Sequence, residues 1–345
     1  MKILIDIGHP AHVHYFRNLI NTSKENGCEF VVVARDKEVS QELLSAYEIP
    51  YVSRGKGASS RLGKFLYMIY ANWVVWKVAR REKPDLFLSV VSPYAAQVSW
   101  LVNKPHIALD DTEHATFARK FYLPFSRNVI TPVCFTLDLG EKQIRINSFF
   151  ELFYLHPSRF VINNKTIDDL SFITQQRFAI LRFVSWGASH DYGQKGIDME
   201  TKLSIINRLN KTHKIVISSE GELPEELEKY RLKIRPEQIH YVINCADMYI
   251  GEGATMASEA AMLGTPAIYF NSLEVSTIKK QSDHLLIWAC KTNREFNEAF
   301  DEILSLENRK EIAQSKLNEY LSDIEDPNSN LSEILKRFEN LGSAN

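Results

Sequence analysis

The strongest constraint on this chain is an alternation. Short, nearly unbroken apolar runs, such as K-I-L-I-D-I at its start, take turns with longer segments of mixed polarity. Runs of about four to eight aliphatic residues bounded by turn signals suit strands buried on both faces of a parallel sheet, and the mixed segments suit the helices that cross between them. Strands are predicted at 2–7, 29–34, 85–90 and 106–109, and again at 177–184, 214–218, 247–250 and 266–270. Two doubly wound α/β units in succession follow from this pattern. The join is predicted within 151–176, where His156-Pro157 and N-N-K-T-I-D-D interrupt the alternation. The expected division is a Rossmann-like N-terminal domain over 1–160, a second over 161–310, and charged C-terminal helices over 311–345, with Pro327 as a break.

Composition narrows the class. With 345 residues, 45% hydrophobic and 24% charged, and only 14 Gly and 12 Pro, the chain is neither disordered nor fibrous, and it exceeds the size at which one core keeps growing. Cys28, Cys134, Cys245 and Cys290 lie far apart without C-x-x-C spacing, which argues against a zinc site or disulfide framework and for packing thiols in a reducing compartment. Met1 opens directly into the first strand pattern without a leader, so the chain reads as cytoplasmic. A net charge of -2 gives no reason to expect nucleic acid as a partner. The halves differ, however: residues 1–150 carry 19 Lys and Arg against 14 Asp and Glu, and the remainder 22 against 29. A basic front half favours anionic partners or a membrane surface.

Parallel sheets bind ligands beyond the carboxyl ends of their strands, so four turns carry the chemistry. In G-E-G-A-T-M-A-S-E-A-A-M-L-G-T-P, Gly251 and Gly253 precede an Ala-rich helix beginning near Ala254. Glycines there let a phosphate approach the free N–H groups at the positive end of the helix dipole. Thr255 adds a hydroxyl, and Glu259, one turn deeper on the same face, is placed to accept both hydroxyls of a ribose. The plain alternative is a glycine turn with Glu259 solvated.

In I-D-I-G-H-P-A-H-V-H-Y-F, Gly8 follows the first strand, and His12 or His14 opens the next helix. A helix N-terminus keeps a histidine neutral, as suits a general base or a donor to substrate. Helix capping by one histidine is the structural alternative; His9, His12 and His14 cannot all converge easily on a metal from one short turn. The turn A-L-D-D-T-E-H-A crowds three carboxylates and a histidine, which raises at least one carboxyl pKa and makes Glu113 or His114 an acid/base candidate. Otherwise Asp111 caps the helix that follows. The fourth turn, R-F-V-S-W-G-A-S-H-D-Y-G-Q-K-G, offers Arg182, Ser185, Gly187, His190 and Lys195 to a diphosphate.

The segment G-A-T-M-A-S-E-A-A-M-L-G-T-P resembles the donor-nucleotide motif of GT-B glycosyltransferases, notably the N-acetylglucosaminyltransferase of peptidoglycan lipid synthesis. The whole chain is similar to a prokaryotic family of unknown function with GT-B architecture that opens with D-I-G-H-P-A-H-V-H and carries D-x-E-H-A, here Asp6 to His14 and Asp111 to Ala115. The resemblance implies two Rossmann-like domains with an interdomain cleft, C-terminal helices that cross back to the first domain, and a metal-independent enzyme without a cofactor. It implies transfer of a sugar from a nucleotide-diphosphate donor, UDP-linked by the same resemblance, to a cell-surface glycan or lipid-linked acceptor in polysaccharide biosynthesis. Gly253, Ala254, Thr255 and Glu259 would hold the donor, with Gly8 facing its phosphates. Pro10 replaces a second glycine in that turn. Non-hydrolysing UDP-N-acetylglucosamine 2-epimerases share this fold and use a histidine in a turn comparable to that of His190. Their H-R-x-E-N and G-D-T segments are replaced here by H-D-Y-G and V-V-S-P-Y, which ranks the epimerase second. A non-catalytic sugar-nucleotide-binding protein is the third reading.

Finally, F-L-Y-M-I-Y-A-N-W-V-V-W lies in 54–83, where eight basic residues face one acidic residue. Twelve residues are too few to span a bilayer. The segment is expected as a buried helix, with peripheral contact at the inner membrane face as the alternative.

Overall fold

The computed structural model describes residues 1–23, 27–58, 60–162, 164–183, 197–219 and 221–342. It divides the chain into two units: Met1–Tyr154 with Glu325–Asn345, and Leu155–Ile324.

In the first unit, strands β1 (Lys2–Ile7), β2 (Glu29–Ala34), β3 (Tyr51–Ser53), β4 (Leu86–Val90), β5 (His106–Leu109), β6 (Asn128–Pro132) and β7 (Gln143–Ile146) form one sheet in the order β3-β2-β1-β4-β5-β6-β7. Every neighbouring pair is parallel. β1 and β4 are buried along nearly their whole length, as central strands covered on both faces must be. The strand order reverses between β1 and β4, which opens a crevice at their carboxyl ends.

In the second unit, β8 (Phe178–Arg182), β9 (Lys214–Ile217), β10 (Met248–Gly251), β11 (Ala267–Phe270) and β12 (Trp288–Cys290) run parallel in the order β12-β11-β10-β8-β9. Here the order reverses between β8 and β10. One hydrophobic cluster, including Ile205, Leu209, Ile250, Phe296 and Phe300, fills the space under the helices. The helix Arg309–Leu321 is tied to this sheet by Arg309, which donates to the Asp247 carboxylate that also accepts from His213.

Four strands were absent from the sequence expectation: β3, β6, β7 and β12. Three are sheet edges of three or four residues with partly exposed faces, and β6 ends on Pro132. The helix Arg61–Glu82 corrects the expectation of a buried segment. Ala71, Val74, Val75, Val78 and Ala79 face the core, but Phe65, Leu66, Ile69, Tyr70, Trp73 and Trp76 are exposed. None of the four cysteines is in a disulfide; only Cys290 is buried, and the other three are half-buried rather than core residues. Burial pushes the Cys290 thiol up to about 12.

Candidate functional site

The first unit gathers a polar cluster at its switch point. Asp6, the last polar residue of β1, is fully buried and accepts from Arg54 Nε at 2.7 Å and from the Ser92 hydroxyl. Arg54 also donates to Tyr67 Oη at 2.5 Å and lies 4.5 Å from the Tyr94 ring centroid. Two opposite charges out of water hold one another in place, and removing either would strand the other. Ser92 reaches Asp6 because Val91, at φ 42°, turns the chain sharply after β4. A β-branched residue in the left-handed region stores about 1–3 kcal/mol of strain, which the surrounding contacts must hold.

Gly8 donates its N–H to Nδ1 of His12 at 3.3 Å. That nitrogen therefore carries no proton, and in the neutral ring the proton sits on Nε2. Burial, reinforced by His9 and Arg54, depresses the His12 pKa to about 3. The expected neutrality is present, but its main cause is desolvation rather than the helix dipole. His12 is thus arranged as a hydrogen-bond donor more than as a base. The capping role falls to His9, whose Nδ1 accepts from the Ala11 N–H at 3.3 Å beside Pro10, the first helical residue. His14 lies elsewhere on the helix Pro10–Ser23, buried against Tyr154 with ring centroids 5.2 Å apart and within 3.3 Å of the Tyr47 hydroxyl.

The acidic turn after β5 separates its carboxylates by role. Asp110 is buried and accepts from Tyr122 Oη at 2.5 Å, Arg119 Nε at 3.1 Å and the Thr112 N–H at 3.0 Å. It is a structural anchor. Asp111 accepts from Tyr15 Oη at 3.0 Å and from the Thr112 hydroxyl at 2.9 Å, and burial raises its pKa. Burial, with like charge only a lesser contribution from Asp110, is the source of the expected upward shift. The helix here begins at Thr116 with no side-chain cap, so Asp111 does not cap it. Glu113 accepts from the Thr136 N–H at 3.3 Å, and His114 is exposed. The His12 ring stacks on Tyr15 at 6.3 Å, so His12, Tyr15 and Asp111 form one group. Asp111 and Tyr15 went unselected from sequence, although the acidic turn marked the region.

In the second unit, the turn after β10 meets the end of β8 at its own switch point. Gly251 pairs with Arg182 in register. A Cβ at Gly251 would lie 2.2 Å from Tyr249 Oη and 2.8 Å from the Arg182 carbonyl, so no side chain fits. Gly253 is the N-cap of the helix Ala254–Met262, with no side-chain cap; a Cβ there meets nothing within 4 Å. Among the described residues, no side chain caps the first-turn N–H groups. Ala254 and Thr255 occupy that first turn, with Thr255 exposed. Glu259, one turn deeper, is buried and within 3.0 Å of His240 Nε2, not solvated. Arg182 donates to Ser218 Oγ at 3.1 Å. Glu252 braces the turn: its carboxylate accepts from the Ile197 N–H at 2.6 Å and faces buried Lys202, whose pKa burial lowers, at 3.7 Å. Glu252 stands between the two glycines of the motif, but nothing local marks its carboxylate as a brace; His240 and Lys202 were missed because nothing in their spacing links them to the turn. Ser185, Gly187, His190 and Lys195 lie outside the described residues.

A cavity of about 640 Å³ in the second unit, lined by Asp169, Phe172, Lys233, Ile234, Arg235 and Gln238, contains none of the sequence-predicted residues. Among the described residues, no three His, Cys, Asp or Glu side chains are placed to hold a metal ion.

Two parallel-sheet α/β units, of seven and five strands, define a GT-B architecture. The chain belongs to the family described as "Protein of unknown function (DUF354)", which matches residues 1–328. It is 24% identical over 283 residues to "Uncharacterized protein MJ0665" of Methanocaldococcus jannaschii, covering 78% of this chain and 81% of that protein. The S. aureus MnaA–UDP co-structure superposes with a TM-score of 0.70 at 13% identity, over 99% of this chain and 97% of that one. The UDP-GlcNAc 2-epimerase from Neisseria meningitidis bound to UDP-GlcNAc gives 0.65 at 14% identity, over 98% and 99%. The glycotransferase of kitacinnamycin gives 0.59 at 10% identity, over 98% of each chain. At these identities the likeness establishes the fold.

Proposed function

We propose that the protein is an enzyme acting on a nucleotide-diphosphate sugar, transferring the sugar to a hydroxyl of a glycan or lipid-linked acceptor. The observation that carries this reading is the uncapped, glycine-lined start of the helix Ala254–Met262, with the buried Glu259–His240 pair one turn beneath it. A diphosphate accepts hydrogen bonds from first-turn N–H groups, and the Glu259 carboxylate accepts from ribose hydroxyls while His240 holds it in place. Uridine is favoured because the S. aureus structure holds UDP and the N. meningitidis structure UDP-GlcNAc.

As the sugar leaves, negative charge grows on the diphosphate, and the helix dipole and Arg182 stabilise it without having to reorganise. The acid/base chemistry belongs to the first unit. His12, neutral with its proton on Nε2, donates to substrate; Asp111, with its raised pKa, takes the acceptor proton. This assignment replaces Glu113, His114 and His14.

The test is calorimetric titration of UDP into the full chain and its Glu259→Ala variant. Losing a hydrogen bond to a charged group costs about 1.5–3 kcal/mol, so affinity should fall roughly tenfold or more. Unchanged affinity rejects the ribose assignment. The epimerase reading is favoured by the same Asp111–Tyr15 pair, a carboxyl able to remove and return a carbon-bound proton. Incubation with UDP-GlcNAc alone separates the two: epimerisation at C2 without acceptor makes the protein an epimerase.

A further inference from the structure

We propose that the exposed face of the helix Arg61–Glu82 docks the first unit on an anionic lipid bilayer. The inference uses residues of the first unit alone and is independent of the donor reading. Leu62, Phe65, Leu66, Ile69, Trp73 and Trp76 recur at three- and four-residue spacing and so share one side of the helix. Five of the six are at least half exposed, and Trp76 is 37% exposed. Trp100 and Leu101, 66% and 62% exposed at the end of the helix Pro93–Leu101, extend the patch across an apolar groove of about 430 Å³ that Trp73, Trp76 and Phe125 also line. Soluble monomers rarely expose so large a continuous apolar area without a function for it.

Charge identifies the occupant. Lys77 and Arg80 continue the same stripe at its carboxyl end, Arg81 and Lys83 flank it, and Glu82 is the one acid between 54 and 83. The Lys77 ammonium lies 4.5 Å from the Trp73 ring centroid. Tryptophan beside lysine and arginine on an exposed helix face is the chemistry of the lipid headgroup boundary, whereas protein interface cores are depleted in lysine. No helix among the described residues is long and apolar enough to cross a membrane, so this one lies on the surface.

The full chain is tested by flotation with phosphatidylcholine vesicles, with and without phosphatidylglycerol. It should float only with the anionic vesicles, less so at high salt, and its tryptophan emission should shift to the blue. Phe65→Ser/Ile69→Ser should abolish flotation while circular dichroism and melting temperature stay as in the parent. Lys77→Gln/Arg80→Gln should weaken it roughly 25-fold, about fivefold for each cation removed. Equal recovery with and without anionic lipid overturns the proposal. So does a chain that ignores vesicles and forms a dimer that Phe65→Ser/Ile69→Ser dissociates.

Discussion

His106 sits fully buried between two serine hydroxyls, Ser89 Oγ at 2.9 Å from Nε2 and Ser126 Oγ at 2.8 Å from Nδ1. Burial lowers its pKa from 6.5 to about 3, so the folded state accepts only the neutral ring. The stabilisation is complete above the unfolded pKa and is lost as pH falls below 6.5, by about 1.4 kcal/mol per pH unit until the folded pKa is reached. Denaturant titrations between pH 7 and pH 5 should show this decline, and His106→Gln should reduce its slope. The same sign applies to His12. Residues of this kind mark the edge of what the sequence discloses. His12 was selected because it follows a strand, a local signal. Arg54 lies 48 positions from the Asp6 it neutralises, and Lys202 lies 50 from Glu252. No periodicity encodes such pairs, since the sheet order brings them together. Asp111 was visible as an acid, but the burial that raises its pKa and its contact with Tyr15 of the helix Pro10–Ser23 come from the fold and not from its neighbours in sequence.

At the scale of elements, the two glycines of the second-unit turn separate folding from binding. Gly251 has no room for a Cβ, whereas Gly253 has open space and an ordinary negative φ. Gly253→Asp should therefore behave in two ways at once. An aspartate at the N-cap accepts from the first-turn N–H groups and restricts the unfolded chain, adding roughly 0.5–1 kcal/mol of stability. It also puts a carboxylate where the diphosphate would lie. A raised melting temperature together with loss of calorimetric UDP binding is the expected pair of results. Retained binding would mean that the phosphates sit elsewhere. The strand β10 and its helix were legible because a buried apolar run, a glycine turn and an Ala-rich segment all speak locally. The edge strands β3, β7 and β12 were not, because three or four half-exposed residues carry too little pattern. The helix Arg61–Glu82 was legible as a helix but not as an exposed one, since apolar residues surround its axis and only the sheet decides which side is covered.

At the scale of the molecule, the first unit is discontinuous: Glu325–Asn345 belongs with Met1–Tyr154. The helix Pro327–Gly342 buries Leu331, Ile334 and Leu335 in that unit, and Asn328 donates to the Phe153 carbonyl at 2.9 Å. Three such side chains contribute about 5–9 kcal/mol, comparable with the whole stability of a domain. Removing residues 325–345 should therefore melt the first unit at much lower temperature in scanning calorimetry while leaving the second unit's transition in place. Loss of both transitions would contradict the division. The same arrangement sets an order for synthesis. The ribosome must deliver all of Leu155–Ile324 before the closing helix emerges, a wait of roughly ten to thirty seconds at typical elongation rates. Through that interval the amino-terminal half remains an unfinished body, within reach of chaperones, while the portion translated later can already have reached its final form.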